Sequence, residues 1–181
     1  MPQGLTRPEK DWPNPCNPVD AHNIEPCHRV LVTIRPARLT DMDHILALGK
    51  EVFQEYGPYE DMLRRWFESG MSVTLLALMG KVPAGFAMFS RLDEWHLPRV
   101  SELLAIAVEP GRQRLGVGHR LMREVEKRAK DIGVQTLVLH TAVDNRSGQK
   151  LFRKCGFLRH EMKRGFYPAG QDALMMFKDI R

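Results

Sequence analysis

Gln113-Arg114-Leu115-Gly116-Val117-Gly118 is the stretch of this 181-residue chain whose residue types and spacing point most directly to chemistry. A strand-like run, Leu103-Leu104-Ala105-Ile106-Ala107-Val108, leads into it. An apolar stripe at three- and four-residue spacing follows: Val117, Leu121, Val125, Ala129 and Ile132, with Met122 beside them. Strand, turn, glycine-bearing loop and helix therefore come in that order. The first turn of a helix carries unpaired N–H groups and the positive end of the dipole, so anions dock there. Gly116 and Gly118 lack Cβ and let a bulky anion approach the backbone, and Arg112 and Arg114 add positive charge. This is the chemistry of a pyrophosphate cradle. A Gly-x-Gly by itself also occurs as a plain tight start to a helix. The spelling G-x-x-x-x-G-K-[ST] is absent, so the stretch is no P-loop. It also lacks the third glycine and the early βαβ setting of a dinucleotide fingerprint.

Three blocks together resemble a family. Val108-Glu109-Pro110 followed by Gln113-x-x-Gly116-x-Gly118 looks like the acetyl-CoA motif of the GNAT N-acetyltransferase superfamily, [QR]-x-x-G-x-[GA] after a strand ending in apolar-Ala-Val. Asn145-x-x-Gly148-x-x-Leu151-Phe152-x-Lys154-x-Gly156-Phe157 resembles that family's N-x-x-A-x-x-L-Y-x-K-x-G-F. Tyr167-Pro168 to Asp172-Ala173-Leu174-x-Met176 resembles its closing strand, especially in ribosomal-protein alanine acetyltransferases. The blocks come in family order and cover residues 31 to 181. The resemblance implies the GNAT acyl-CoA N-acyltransferase fold, a mixed α/β sheet whose central strands splay apart. In that fold pantetheine lies between the strand before the glycine loop and the strand after its helix. It implies acetyl-CoA as acyl donor, contacted by Ile106, Ala107 and Val108, by Gln113, Arg114, Leu115, Gly116, Val117 and Gly118, and by Asn145 and Lys154.

Making an amide from a thioester needs a neutral amine. Lysine-like amines titrate near 10.4 and α-amines near 8, so a base or a water chain must remove a proton. Glu102 is one candidate base, five residues before Ala107, where a histone-acetylating branch of the family places its glutamate. His140 is the other, five residues before Asn145, where the alanine acetyltransferases carry a glutamate. An ordinary imidazole titrates near 6.5, which suits a base at neutral pH. Either side chain can equally be structural, a strand-end carboxylate or a hydrogen-bonded core histidine. Phe152 departs from the family: tyrosine is common there as the acid that protonates the thiolate, and phenylalanine has no proton to give. Tyr167 is offered for that role, against packing before Pro168. Asn145 is both a pantetheine contact by resemblance and a plausible helix N-cap. No Cys or Ser stands in a nucleophile setting, so transfer from donor to amine is expected to be direct. Two readings follow. One is an N-acetyltransferase acting on a primary amine, either a small amine or a peptide or protein amine. The other is a non-catalytic acyl-CoA sensor of the same fold, which Phe152 favours.

The elements that position these residues are legible from periodicity and punctuation. Val30–Ile34 reads as a strand closed by Pro36, and Thr40 as N-cap of a helix with Ile45, Leu48, Val52 and Phe53 on its apolar face. Tyr56-Gly57-Pro58-Tyr59 breaks that helix, and a second runs over Glu60–Glu68. By resemblance the two flank the acceptor groove, where Tyr56, Tyr59 and Trp66 either line it or pack in the core. Val73–Met79 and Pro83–Phe89 form a hairpin around Gly80-Lys81. Ser101–Val108 and Gln135–Thr141 are the strands on either side of the long helix. Asn145–Cys155 is a short helix stopped by Gly156, and Phe157–Lys163 and Ala173–Lys178 close the sheet. Arg91–Arg99, with Asp93, Glu94, Trp95 and His96, is a polar connection.

Residues 1–29 read as a separate proline-rich extension ahead of a domain over 30–181. Pro2, Pro8, Pro13, Pro15, Pro18 and Pro26 prevent helix and interior strand there, and Trp12 could lay the segment on the domain. Hydrophobic content of 43% and charged content of 27% are ordinary for a globular chain. The net charge of +5 is scattered and forms no basic stripe, so no nucleic-acid partner is expected. No apolar run approaches a membrane span and the N-terminus has no apolar h-region, so the expected setting is cytoplasmic, away from membranes. Cys16, Cys27 and Cys155 argue against a disulfide framework. Cys16, His22, Cys27 and His28 fit no standard zinc spacing, so no metal is expected. A homodimer is an open assembly.

Overall fold

The computed structural model describes residues 31–90 and 99–181. The extension over 1–29, with Trp12 and its Cys/His set, and the connection holding Asp93, Glu94, Trp95 and His96 lie outside the described residues. In chain order the elements are β1 (Val32–Pro36), α1 (Met42–Phe53), α2 (Tyr59–Glu68), β2 (Ser72–Met79), β3 (Val82–Ser90) and β4 (Val100–Val108). Then come α3 (Val117–Asp131), β5 (Thr136–Ala142), α4 (Arg146–Lys154), β6 (Leu158–Lys163) and β7 (Ala173–Asp179). The strands form one seven-stranded sheet in the order β1-β2-β3-β4-β5-β7-β6. Every neighbouring pair is antiparallel except β4 and β5, which run parallel across the α3 crossover. None of the described helices is long and apolar enough to cross a membrane.

Alternation along the strands builds two cores. On one face Leu75, Ala87, Phe89, Leu103, Leu137 and Leu139 meet the stripe Val117, Leu121, Met122, Val125 and Ala129 of α3 and Phe152 of α4. On the other, Leu76, Phe86, Met88, Ala105 and Ala107 meet Met42, Ile45, Leu46 and Leu48 of α1 and Leu63 of α2. Gly49 lets the two helices touch, since a Cβ there would lie 2.2 Å from Leu63 Cδ1.

The start of α1 differs from the sequence expectation. A 3₁₀ turn over Leu39–Asp41 precedes the helix, and Thr40 caps nothing. Asp41 does the local work: its carboxylate accepts from Arg38 N–H at 2.6 Å and takes Arg35 bidentately at 2.7 and 2.9 Å. A charged acceptor with three donors outcompetes a threonine hydroxyl one residue earlier. The hairpin turn at Gly80, with φ of 64°, and the stop of α4 at Gly156, with φ of 87°, are as expected.

One irregularity in β4 shapes the site. Met88 opposes Ala105 and Phe89 opposes Leu103, so Leu104 is an extra residue, a β-bulge. Leu103 faces the α3 core, whereas Leu104 and Ala105 both face the α1/α2 core. The parallel pairing of β4 with β5 runs from Val100↔Thr136 to Leu103↔Leu139 and goes no further. The bulge therefore sits where the two central strands part.

Candidate active site

The parted strands open into a cleft of about 350 Å³. Its floor comes from Glu102 to Ile106 of β4 and His140 to Ala142 of β5, with Asn145 and Phe152 beyond. Its walls are Phe53, Tyr56, Tyr59, Met62 and Trp66 from α1, α2 and their connection, and Phe166, Tyr167 and Pro168 from the β6–β7 loop. The chain has three tyrosines, and all three line this cleft. Tyr56, Tyr59 and Trp66 are thus groove-lining, while Tyr56 and Tyr59 also pack on Tyr167 and Trp66 on the α1/α2 core.

The two candidate bases meet. Glu102 and His140 point to the α1/α2 face from neighbouring strands, and His140 Nδ1 lies 2.7 Å from Glu102 Oε1. The backbone beneath Glu102 is fixed, since its N–H donates to Ser90 Oγ at 2.9 Å and Ser101 Oγ donates to Ser90 O at 2.6 Å. The ring of Phe166 stacks on His140 with centroids 4.3 Å apart. Tyr167 is buried, with its ring 4.9 Å from Tyr56 and 5.2 Å from Phe166. Burial pushes the Tyr59 hydroxyl up to about 12, with the charge of Glu102 next in weight. Burial, then the neighbouring Tyr59 and Tyr56, pushes Tyr167 further still. Both phenols therefore keep their protons at neutral pH. Phe152 lies on the α3-side core with its ring 6.2 Å from Phe157.

The glycine loop has the backbone of an anion site. Arg114 is the only non-glycine described residue with positive φ, at 61°, and Gly116 follows at 84°. Arg120 N–H makes the first intrahelical bond to Gly116 O at 3.1 Å, so the N–H groups of Val117, Gly118 and His119 have no acceptor within the helix. Gln113 and Leu115 are exposed, and Gln113 Nε2 donates to Val108 O at 3.3 Å, tying the loop to the end of β4. Ile106 and Val108 are half-buried and Ala107 is buried. The two glycines differ in role. A Cβ at Gly116 would meet nothing within 4 Å, so that glycine serves φ, whereas at Gly118 it would lie 3.1 Å from Leu151 Cδ2 and 3.7 Å from Val108 Cγ2. On its Cβ side Gly118 makes room for Leu151 of α4, while its N–H stays unpaired within the helix.

Asn145 is the N-cap of α4, with Oδ1 accepting from Gly148 N–H at 2.9 Å. Gly148 makes room for it, because a Cβ there would lie 2.6 Å from Asn145 Nδ2. Lys154 is exposed at the far end of α4 and does not line the cleft. Sequence reasoning missed Phe53, Met62, Thr141 and Phe166. Phe166 was the findable one, since it precedes Tyr167-Pro168 in the closing block. Among the described residues no group of three or more His, Cys, Asp or Glu could hold a metal ion.

The family model for the Acetyltransferase (GNAT) family matches residues 39–157. An N-alpha-acetyltransferase from Sulfurisphaera tokodaii is 29% identical over 151 residues, covering 79% of this chain and 90% of that protein. N-alpha-acetyltransferase RimI of Mycobacterium tuberculosis is 36% identical over 104 residues, 57% of this chain and 63% of its own. The Salmonella typhimurium structure yncA, solved with its cofactor acetyl-CoA, shares the fold at a TM-score of 0.70 and 17% identity, over 83% of this chain and 94% of that one. With the matched residues spanning both sides of the parted strands, the chain belongs to the GNAT acetyltransferase family.

Proposed function

We propose that this protein transfers the acetyl group of acetyl-CoA directly to the α-amino group of a peptide or protein. The observation that carries the reading is the Glu102–His140 pair beside the parting of β4 and β5, inside an aromatic-walled cleft. The names of the S. tokodaii and M. tuberculosis relatives support the α-amine. The donor's phosphates would take the unpaired N–H groups from Val117 to His119, the open loop backbone at Gln113 to Gly116, and the charge of Arg114. Its pantetheine would run along the free edge of Ile106–Val108 toward Asn145. Lys154, by contrast, is far along α4 and serves at most the periphery.

In this reading the acceptor enters between the aromatic walls as an ammonium drawn by the Glu102 carboxylate. The carboxylate takes its proton, the neutral nitrogen attacks the thioester carbonyl, and the C–S bond breaks as the amide forms. Tyr167 keeps its proton, and its phenol would steady the departing thiolate through a hydrogen bond that Phe152 cannot offer, while the sulfur takes its proton from solvent. All these residues lie on one chain, so the reaction as proposed needs no homodimer, nucleic acid or membrane.

The test is thiol release from acetyl-CoA across a panel of acceptors. Peptides with free N-termini should release CoA, and the same peptides with blocked N-termini and a free lysine, a polyamine and an aminoglycoside should not. Release with lysine or the small amines alone overturns the α-amine assignment. Acetyl-CoA binding with no release from any amine favours the sensor reading, which rests on Phe152.

A further inference from the structure

Glu102 and His140 form one hydrogen-bonded pair. At 2.7 Å a proton must lie between His140 Nδ1 and Glu102 Oε1, because two bare acceptors repel at that distance. Three states supply it: a neutral imidazole protonated on Nδ1, an imidazolium, or a protonated carboxyl facing an imidazole protonated on Nε2. The last two place an N–H on Nε2. That atom is buried, with no hydrogen-bond partner among the described residues. Orphaned buried N–H groups are costly and rare. The neutral Nδ1–H form avoids one and leaves Nε2 a bare acceptor, the less costly of the two orphans.

Access points the same way. The Glu102 side chain is 39% exposed and that of His140 is 11% exposed, with Phe166 stacked on its ring. An amine in the cleft meets the carboxylate, and His140 stands behind it. The other titratable groups lining the cleft are Tyr56, Tyr59 and Tyr167, and burial holds all three phenols in their protonated form, so none of them competes as a base near neutrality.

With Glu102 as the base of the proposed reaction, we infer that His140 is a neutral positioning residue whose Nδ1–H holds that carboxylate toward the cleft. This deepens the acetyl-transfer reading and rests on it for its kinetic test. The proton leaves the ammonium nitrogen for a Glu102 carboxylate oxygen and passes to solvent through the exposed edge of that side chain. The imidazole neither gains nor loses one.

The experiment combines kinetics with imidazole ¹⁵N NMR on the full chain. Glu102→Gln preserves the acceptor for Nδ1–H and should lower kcat/KM by roughly 10²- to 10⁴-fold. His140→Asn keeps an N–H donor at the Nδ1 position, so it should stay within about tenfold of wild type and retain the acid limb of the pH profile. His140→Leu removes the donor, and the loosened carboxylate should cost about 10²-fold in kcat with the limb still present. Thermal melts and acetyl-CoA affinity show that each variant is folded. If His140→Asn loses the acid limb, or Glu102→Gln keeps near-normal rates, the assignment is wrong. The NMR readout needs no turnover: the His140 ring, identified by its disappearance in His140→Asn, should be Nδ1-protonated and neutral at neutral pH. An Nε2–H tautomer or an imidazolium overturns the inference, even if no amine proves to be a substrate and the acetyl-transfer reading fails separately.

Discussion

Gly57 and Pro168 touch across the mouth of the cleft: a Cβ at Gly57 would lie 2.8 Å from the proline Cβ, and Gly57 holds φ of 129°. The contact straps the β6–β7 loop to the α1–α2 connection. Ala169 N–H donating to Tyr56 O at 3.3 Å and Gln171 Nε2 donating to Glu55 O at 2.5 Å complete it. Gly57→Ala meets both strain and a clash. It should destabilise the protein by about 1–3 kcal/mol and unseat Tyr56 from Tyr167. Because the glycine loop lies elsewhere, calorimetry should find acetyl-CoA affinity unchanged while KM for the acceptor rises.

At the donor end, Gly116→Asp isolates charge from shape. Its φ of 84° is one that Asp and Asn adopt more readily than other side chains, and a Cβ there meets nothing within 4 Å. The fold should survive. A carboxylate beside the unpaired helix N–H groups should weaken acetyl-CoA binding by about tenfold or more, about 1.4 kcal/mol, and Gly116→Asn by much less. Titration calorimetry on both variants measures the difference. Gly118→Asp makes a poorer test, because its Cβ presses on Leu151.

Acid should reveal the Arg35–Asp41 pair. The Arg35 guanidinium, and then the Arg38 N–H, hold the Asp41 carboxyl below the usual carboxylate range. A carboxyl depressed in the folded state contributes stability above its unfolded value, near 3.9, and loses it as pH falls through the lower folded value. Asp41→Asn should therefore cost about 1 kcal/mol at neutral pH. Chemical denaturation at a series of pH values should show that gap closing below about pH 4.

Removal of the proline-rich extension tests the domain boundary. A chain shortened to begin at Arg29 should express in soluble form and bind acetyl-CoA with unchanged affinity, since the matched family residues begin at 39. Loss of soluble expression would make the extension structural.

The elements were legible where one strong local signal stood alone. The 3.6-residue stripe from Val117 to Ala129 and the glycine stops at Gly80 and Gly156 gave helix, turn and cap, because periodicity and positive φ are local properties. Asn145 as N-cap was legible for the same reason. What stayed hidden depends on residues far apart in sequence. Nothing in Leu103-Leu104-Ala105 spells a bulge, which arises from its pairing with Met88 and Phe89. The contact of Gly118 with Leu151 needs α4 in place, and the Glu102–His140 bond spans 38 residues. Thr40 misled for a simpler reason, because a threonine at a helix start looks like a cap until the carboxylate of Asp41 outcompetes it.

Beyond Leu103, β4 keeps β3 on one side and has no strand on the other. A free strand edge is the feature by which folded chains recruit one another into aggregates. Here the ligand proposed to lie along it would also be its cover, and whatever binds only the folded state raises the cost of unfolding with its concentration. The melting temperature of this protein should then climb with the concentration of its own donor.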